Sequence, residues 1–247
     1  MFASPFPQTR RRGDRPRWRI IVVPPANQLD AAGFLVVAPL LDQGECDELA
    51  SRLASMPASA AGARRLLDES WCRTLATRLK DHPAIRPLLP GGAVAIQCIY
   101  FQKSTGKNWL VPFHQDVSMP VASRVDHPAL SGWSEKEGSL HVHAPVDLLE
   151  RMIALRLHID ECGEEDGPLR VAPGSHRLGR LEGEAIAAAR RDLGESIVPV
   201  PRGGALAMRP LILHASSKST GAGQRRVLHF VFAPSSPPMG LTWRNAV

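Results

Sequence analysis

The chain has 247 residues, of which 44% are apolar and 22% are charged. This composition excludes a wholly disordered protein, and the length suffices for one domain with a sizeable core. The first apolar stretch, at residues 20–23, stops at two prolines. It is too short for a secretory signal or for a membrane span of about 20 residues, so we expect no membrane association.

The net charge of +6 raises the question of nucleic-acid binding, but much of the excess lies in one segment. Six arginines fall between residues 10 and 19: Arg10, Arg11, Arg12, Arg15, Arg17 and Arg19. We predict that residues 1–19 form a flexible, solvated basic arm, the alternative being an arm that binds an acidic partner. Because no zinc-finger or RNA-binding signature follows, nucleic acid is not an expected partner. From the chain length, residues 20–247 are predicted to form a single domain.

Cysteine usage indicates the compartment. The four cysteines are scattered without a Cys-x-x-Cys pair: Cys46, Cys72, Cys98 and Cys162. This pattern argues against a zinc site and against a disulfide framework. It is typical of a reducing compartment, so we expect a cytoplasmic protein.

The first third of the chain predicts one strand and two helices. Phe34–Val37 is a short β-prone run. Asp42 and Glu45 have the capping-box spacing, and an apolar stripe follows them at helical intervals. A second helix is predicted over residues 63–79, because its leucines and Trp71 share one face and a His-Pro pair follows.

From residue 92 onward the apolar period changes to that of short strands. Strands are predicted at 93–101, 152–160, 169–172, 197–200, 205–208, 211–214 and 227–232, with a short helix at 185–191. Many short strands after a helical region predict a mainly β fold with flanking helices, a sandwich or jelly roll. Residues 117–150 form an unusually long connection, predicted to be a lid, a substrate loop or a disordered segment.

A candidate metal site lies in the middle of the chain. His114 and Asp116 are two residues apart, so in a strand their side chains would share one face. His214 follows a short apolar run and would supply a third ligand at a strand terminus. Two imidazoles and one carboxylate form the facial triad of Fe(II) oxygenases. By itself the His-x-Asp spacing is also compatible with a plain polar loop.

An arginine pair follows the third ligand. Arg225 lies eleven residues after His214 and begins an apolar β-prone run. A buried arginine needs an anionic partner, and its planar fork suits the far carboxylate of a dicarboxylate that chelates iron at its other end. Arg225 and Arg226 are adjacent, so only one can face inward; Arg225 is our choice, and the other would be solvated or salt-bridged.

Three sequence blocks together resemble the phytanoyl-CoA dioxygenase family of Fe(II)- and 2-oxoglutarate-dependent oxygenases. The blocks are Phe-His-Gln-Asp at 113–116, Asp-Gly-Pro-Leu-Arg-Val-Ala-Pro-Gly-Ser-His at 166–176, and His-Ala-Ser-Ser at 214–217 with its following Arg-Arg pair. The resemblance implies a double-stranded β-helix, that is, a cupin-like jelly roll. It also implies that Fe(II) and 2-oxoglutarate are the cofactors.

The same resemblance assigns roles to single residues. His114, Asp116 and His214 take the positions of the iron ligands, and Arg225 takes that of the anchor for the far carboxylate of 2-oxoglutarate. Ser216 matches a serine that also contacts the co-substrate. His176, by contrast, matches a turn residue and is not expected to bind metal.

Other positions are candidates for the pocket, each with a structural alternative. Gln97 resembles a pocket-facing glutamine but would also suit an ordinary strand. Arg156 departs from the family pattern, where a tryptophan is common, and it would either meet an acidic group of the co-substrate or substrate, or pair with Asp160 or Asp166. Trp109, Trp133 and His158 are candidate substrate contacts, with core or lid packing as the alternative for the tryptophans. A second metal site at His141 and His143 is not expected, since no further ligand is placed by motif.

The resemblance implies an enzyme that uses O₂ to hydroxylate an unactivated C–H bond of a small molecule, releasing succinate and CO₂. No catalytic residue beyond the metal ligands is expected. The presence of Asp116 favours hydroxylation over halogenation, because related halogenases lack this carboxylate; desaturation and ring chemistry stay open. The alternative is a non-catalytic jelly-roll protein that binds ligands or regulates. The sequence indicates no oligomeric state.

Overall fold

The computed structural model describes residues 25–56 and 62–247. Its helices are α1 Pro25–Ala32, α2 Gln43–Ala54, α3 Ser70–Asp81, α4 Val146–Leu149 and α5 Glu184–Leu193. Its strands are β1 Phe34–Val37, β2 Gly62–Ala63, β3 Ala93–Lys103, β4 Val111–His114, β5 Ser118–Pro120, β6 Ser131–Lys136, β7 Ser139–His143, β8 Ile153–His158, β9 Leu169–Val171, β10 Ser196–Val198, β11 Ala205–Met208, β12 His214–Ser216 and β13 Arg225–Pro234. Among these residues no helix has the length and apolar character that crossing a bilayer requires. The predicted basic arm at 1–19 lies outside the described residues.

Two antiparallel sheets make up the body of the molecule. The larger has the order β1-β11-β8-β13-β3-β2 and the smaller the order β10-β9-β12-β4. Neighbours in each sheet are distant in sequence, since β13 lies between β8 and β3 and β12 lies between β9 and β4. This is the double-stranded β-helix that the sequence predicted, with its helices on the flanks.

The outer face of the larger sheet is covered by helices. The capping box of Asp42 and Glu45 is formed, with both reciprocal hydrogen bonds at 2.8 Å. Helices α2 and α3 bury their apolar stripes against outward-facing residues of β8 and β13, such as Leu155 and Phe230. The largest apolar cluster therefore lies outside the jelly roll, and part of the inner face of this sheet carries polar side chains, such as Arg156 and His229.

The predicted second helix is corrected at its N-terminal side. Residues 62–63 form β2, Leu66–Asp68 is a 3-10 turn, and only Ser70–Asp81 is α-helical. Arg65 bridges Cys98 of β3 and Leu66 is fully buried, so edge pairing and burial override helix propensity there. The strand predicted at 211–214 is also displaced, because His214 begins β12 instead of ending a strand.

The long connection at 117–150 is an ordered unit. It forms a three-stranded antiparallel sheet of order β5-β7-β6, here called the lid sheet, followed by α4. Strands β6 and β7 are joined by Glu137 and Gly138, both with positive φ (50° and 70°), as a two-residue hairpin turn requires. The lid sheet leads directly out of the His-x-Asp segment and is thereby held next to the candidate site.

Candidate metal centre

The smaller sheet brings the three predicted metal ligands together. His114 is the last residue of β4 and His214 the first of β12, and the two are paired in register. Their ring centroids are 4.2 Å apart. The carboxylate of Asp116 lies 3.7 Å from Nε2 of each imidazole, and the three ligand atoms all lie within 4.8 Å of one another. One ion can bridge atoms at this spacing with small side-chain movements.

Backbone carbonyls determine which ring nitrogen faces the centre. Nδ1 of His114 donates to the carbonyl of Pro112 at 2.9 Å, and Nδ1 of His214 donates to that of Ile212 at 3.0 Å. Because a carbonyl can only accept, each Nδ1 carries the proton and each Nε2 presents a lone pair. This is the outer-sphere arrangement typical of metal-binding histidines.

The residue between His114 and Asp116 fastens the loop. The Gln115 amide nitrogen donates to the carbonyls of Gly179 (2.8 Å) and Leu211 (2.6 Å), while its oxygen accepts from Leu181 N–H (2.8 Å). The Asp116 N–H donates to the carbonyl of Pro210 at 2.9 Å. Both ligands of the first motif are thus tied to the segment that precedes the third.

The Gly-Ser-His block supports the third ligand from behind. Ser175 is fully buried; its hydroxyl donates to Ala172 O at 2.7 Å and accepts from Leu213 N–H at 2.8 Å, one residue before His214. His176 hydrogen-bonds the carbonyl of Asp30 at 3.2 Å. This histidine therefore joins α1 to the smaller sheet, in agreement with its predicted structural role.

The electrostatics of the triad favour metal binding near neutral pH. Burial alone would raise the pKa of Asp116, but the neighbouring imidazoles and Arg156 lower it from 3.8 to about 2. Burial lowers the pKa of His214 to about 4, against the opposing effect of Asp116. At pH 7 the site therefore presents a carboxylate and neutral imidazole, the protonation states that a divalent metal requires.

The two adjacent arginines of β13 face opposite sides of the sheet. Arg226 faces outward and forms a bidentate salt bridge with Asp160, with Nε donating to Oδ2 at 2.8 Å and Nη2 donating to Oδ1 at 2.7 Å. Arg225 faces inward, is 3% exposed and has no carboxylate partner within the described ranges. It donates to the carbonyl of Gly167 and, at 3.5 Å, to the hydroxyl of Ser216.

The Asp-Gly-Pro block forms the wall beside Arg225. The φ of Gly167 is +64°, and a Cβ there would lie 2.5 Å from the carbonyl of Ser217, so only glycine fits. The Ser216 hydroxyl donates to Gly167 O at 3.1 Å. Arg225, Ser216 and the turn at Gly167 thus form one hydrogen-bonded group.

Lys103, which the sequence interpretation did not assign to the site, belongs to the same group. Its ammonium donates to Ser216 Oγ at 2.7 Å and to the carbonyl of Ser217, and it lies 5.6 Å from the ring centroid of Trp109. Burial, followed by repulsion from Arg225 and Arg156, lowers the pKa of Lys103 to about 7. The sequence could have indicated this, because Lys103 lies six residues after Gln97. Side chains an even number of positions apart share one face of a strand, so both lie on the inner face of β3.

His229 is a second residue that the sequence interpretation missed. Its Nε2 lies 3.7 Å from Oδ2 of Asp116, and its Nδ1 accepts from Arg156 at 3.1 Å. Because Arg156 occupies Nδ1, the proton of the neutral ring sits on Nε2 and faces the Asp116 carboxylate. The alternation of side chains along a strand could have indicated this residue as well. His229 is four residues after Arg225 and therefore lies on the same face of β13.

Arg156 contacts neither of the carboxylates proposed as alternatives. It lies under the ring of Phe101, at 5.3 Å, and bonds to His229. Asp160 is occupied by Arg226, and Asp166 accepts from Gly163 N–H at 2.9 Å. Burial and the nearby Arg225 lower the pKa of Arg156 to about 10, so it remains a cation at neutral pH.

Of the remaining predicted residues, some lie on the inner face of the larger sheet or beside Lys103, and one packs in an apolar cluster. Gln97 and His158 are buried on the inner face, at 8% and 4% exposure. Trp109 lies beside Lys103. Trp133 packs in the apolar cluster of the lid with Arg124 over its ring at 5.3 Å, which corresponds to the packing alternative for this residue.

Comparison with known proteins places the chain in a family. The family model for phytanoyl-CoA dioxygenase (PhyH) matches residues 29–227. The chain belongs to the phytanoyl-CoA dioxygenase family. The matched range contains the triad, the Gly-Ser-His block and both arginines of β13. A search among functionally described protein sequences found no significant match.

Solved structures share the fold at low sequence identity. EctD from S. alaskensis, with 2-oxoglutarate and 5-hydroxyectoine, has a TM-score of 0.64 at 18% identity, over 90% of this chain and 79% of that one. The 2-oxoglutarate-dependent epimerase SnoN from nogalamycin biosynthesis gives 0.64 at 15%, over 87% and 83%. HygX from Streptomyces hygroscopicus, with nickel and 2-oxoglutarate, gives 0.57 at 18%, over 84% and 85%.

The residues of the centre fit the metal of this family. Membership makes the protein an iron(II)- and 2-oxoglutarate-dependent oxygenase. A mixed set of two imidazole nitrogens and one carboxylate suits Fe(II). The free Nε2 lone pairs and the ionised Asp116 supply that set without rearrangement of the backbone.

Proposed function

We propose that the protein hydroxylates an unactivated C–H bond of a small molecule while 2-oxoglutarate is converted to succinate and CO₂. The observation that carries this proposal is the set of basic side chains on the inner face of the larger sheet. Three of them, Lys103, Arg156 and Arg225, are buried and have no salt-bridge partner in the part of the chain that the structure describes. Burying a basic side chain in its charged form without an anionic partner costs free energy. We therefore infer that these three side chains bind an anionic ligand.

A dicarboxylate with one carboxylate at the triad could place its other carboxylate against these basic side chains. Arg225, Ser216 and Lys103 would bind the far carboxylate, since their donors converge at Ser216 Oγ (2.7 Å from Lys103 Nζ and 3.5 Å from Arg225 Nη1). The planar guanidinium offers two parallel N–H donors to such a group. Arg156 lies between this group and Asp116 through its bond to His229, so it would add positive potential along the length of the co-substrate.

The residues around the metal would keep its ligands in place. Nδ1 of His114 and of His214 holds its proton on a backbone carbonyl, which keeps Nε2 available to the metal. His229 directs its Nε2–H toward the second ligand, Asp116. When bound, iron and 2-oxoglutarate would supply the oxidising chemistry, while these side chains would hold the metal ligands in position. Asp116 occupies the carboxylate position, which favours hydroxylation over halogenation.

The test is oxygen-isotope incorporation. The purified protein is incubated with Fe(II), 2-oxoglutarate, ¹⁸O₂ and fractionated metabolite extracts, and products are compared by mass spectrometry with a reaction lacking 2-oxoglutarate. Hydroxylation places one ¹⁸O atom in succinate and one in a product hydroxyl. A product of unchanged mass would indicate epimerisation and a loss of two hydrogens would indicate desaturation or ring closure, and either result would overturn the hydroxylase assignment. Absence of succinate with every fraction would favour a non-catalytic protein.

A further inference from the structure

The lid sheet has one apolar and one polar face. Met119 of β5 and Val142 of β7 are paired and buried in an apolar cluster. Paired residues in antiparallel strands share a face, so the neighbouring pairs, which include Ser118 with His143 and Lys136 with Ser139, lie on the other side. This polar face of the lid sheet also carries His141, which pairs with Pro120.

The polar face lies next to the metal ligands. The Lys136 ammonium donates to the hydroxyl of Ser118 at 2.8 Å, and Ser118 is two residues after Asp116. Burial, followed by repulsion from Arg64, lowers the pKa of Lys136, whereas the Asp116 carboxylate acts in the opposite direction. Lys136 is therefore a half-buried cation within electrostatic range of the triad.

Nearby carboxylates do not neutralise Lys136. Glu137 is engaged by Arg64, whose N–H donates to it at 2.9 Å, and Glu182 pairs with Arg180 at 2.8 Å. Within residues 25–56 and 62–247, Lys136 forms no salt bridge. Apart from the electrostatic influence of Asp116, the positive charge of Lys136 is thus available to a group that enters the site.

His141 adds an unpartnered polar atom on the same face. It is 2% exposed, its Nδ1 donates to the carbonyl of Ser139 at 2.9 Å, and its buried Nε2 has no hydrogen-bond partner among the described residues. In the neutral ring that Nε2 is an acceptor. Buried acceptors are normally satisfied, so this atom suits a hydroxyl or amine of a ligand.

We propose that the substrate carries an anionic oxygen group, a carboxylate or a phosphate, that binds Lys136, with a hydrogen-bond donor beside it that binds Nε2 of His141. The proposal rests on the proposed function, because it treats the lid sheet as the substrate side of the oxygenase. It is separate from the co-substrate group, since Arg225 and Lys103 lie on the larger sheet and Lys136 lies on the lid sheet. Binding there would place the substrate between the lid sheet and the triad.

The experiment follows the imidazole signals by NMR in protein with ¹⁵N-labelled histidine. His141→Asn and His143→Asn identify two of the nine histidines. Inorganic phosphate and acetate are titrated separately into protein that contains Zn(II) and saturating 2-oxoglutarate, and again into metal-free protein. We expect saturable shifts of the His141 or His143 signals with at least one of the two anions. The anion that binds more tightly identifies the preferred group.

Variants locate the binding charge. Lys136→Gln keeps a hydrogen-bond donor but not the charge and should weaken anion binding about tenfold or more. Lys136→Arg should retain binding. Lys80→Gln, which removes the same charge from α3 on the outer side of the molecule, should change nothing. Equal affinities in wild type and Lys136→Gln would overturn the proposal, as would the absence of any response to both anions.

A neutral probe makes the test independent of variant folding. Trimethyl phosphate keeps the tetrahedral phosphorus centre of a phosphate but is a neutral ester, and we expect it to leave the His141 and His143 signals of the wild-type protein unshifted. Shifts equal to those with inorganic phosphate would overturn the proposal. Failure of the proposed function appears elsewhere, as a product without an ¹⁸O-labelled hydroxyl in the isotope experiment, whereas the anion proposal is still decided by Lys136.

Discussion

Arg225 and Arg226 are adjacent on β13, yet their surroundings differ in every respect. Arg226 faces the helices and has a complete set of acceptors, with Asp160 bidentate and the carbonyl of Ala50 at 3.3 Å. Arg225 faces inward, and its buried Nε has no hydrogen-bond partner in the described structure. Arg226 is thus paired within the folded chain, whereas we propose that Arg225 acquires its anionic partner when a ligand binds. This difference separates residues that stabilise the fold from residues that serve function.

The largest effect is expected at the metal centre. Asp116→Ala removes the only carboxylate of the triad and should reduce 2-oxoglutarate-dependent succinate formation by at least about 100-fold, since even outer-sphere changes can cost that much. Succinate is quantified by mass spectrometry at saturating Fe(II). Asp192→Ala, on exposed α5, is the control and should retain full activity. Undiminished turnover in Asp116→Ala would refute the assignment of the triad.

The arginine pair tests the comparison itself. Arg225→Ala should raise the KM for 2-oxoglutarate about 100-fold, because it removes a buried, charge-assisted contact to the far carboxylate. Arg226→Ala should leave that KM within about twofold, because its side chain is on the opposite face. Both constants are measured by succinate formation at fixed Fe(II) and substrate. If Arg226→Ala had the larger effect on KM, the two faces would have to exchange roles.

A smaller effect, on stability and not on co-substrate binding, is expected for Asp160, the carboxylate that pairs with Arg226. Asp160→Ala leaves Arg226 partly buried and unpaired and should lower the free energy of unfolding by about 2 kcal/mol. The affinity for 2-oxoglutarate should be unchanged. Urea denaturation followed by circular dichroism gives the first quantity and calorimetric titration the second. Loss of co-substrate binding without loss of stability would contradict the structural role of Asp160.

The smallest effect concerns pH. Because the pKa of Lys103 is lowered to about 7, its ammonium is present below that pH and lost above it. The kcat/KM for 2-oxoglutarate should therefore fall by several-fold as pH rises through about 7, and Lys103→Met should have a lower, flatter profile. An unchanged profile in Lys103→Met would show that another group titrates.

Much of the fold was predictable because the strands are short, apolar, β-prone runs that turn residues separate. The errors came from tertiary contacts. Residues 63–69 have helical periodicity, but pairing with β3 and burial of Leu66 give them a different structure. The lid sheet was not predicted, because its polar face carries His141 and Lys136 and so lacks the continuous apolar signal of a strand.

The ligand triad was predictable because its spacing and motifs are local. Lys103 and His229 were not assigned, although both belong to strands that the sequence did indicate. Their contacts join β3, β8, β12 and β13, as in the bond of Lys103 to Ser216 and that of His229 to Arg156. Which strands become neighbours depends on topology, and topology is not encoded in the spacing of any one segment.

We propose that 2-oxoglutarate binds between the metal at the triad and Arg225. The direct measurement is anaerobic titration of the Fe(II)-loaded protein with 2-oxoglutarate, followed by the visible charge-transfer absorption of the iron chelate. We predict a saturable band in the wild type, a much higher dissociation constant in Arg225→Ala, and no band in Asp116→Ala. Absence of the band in the wild type, or an identical titration in Arg225→Ala, would contradict this account.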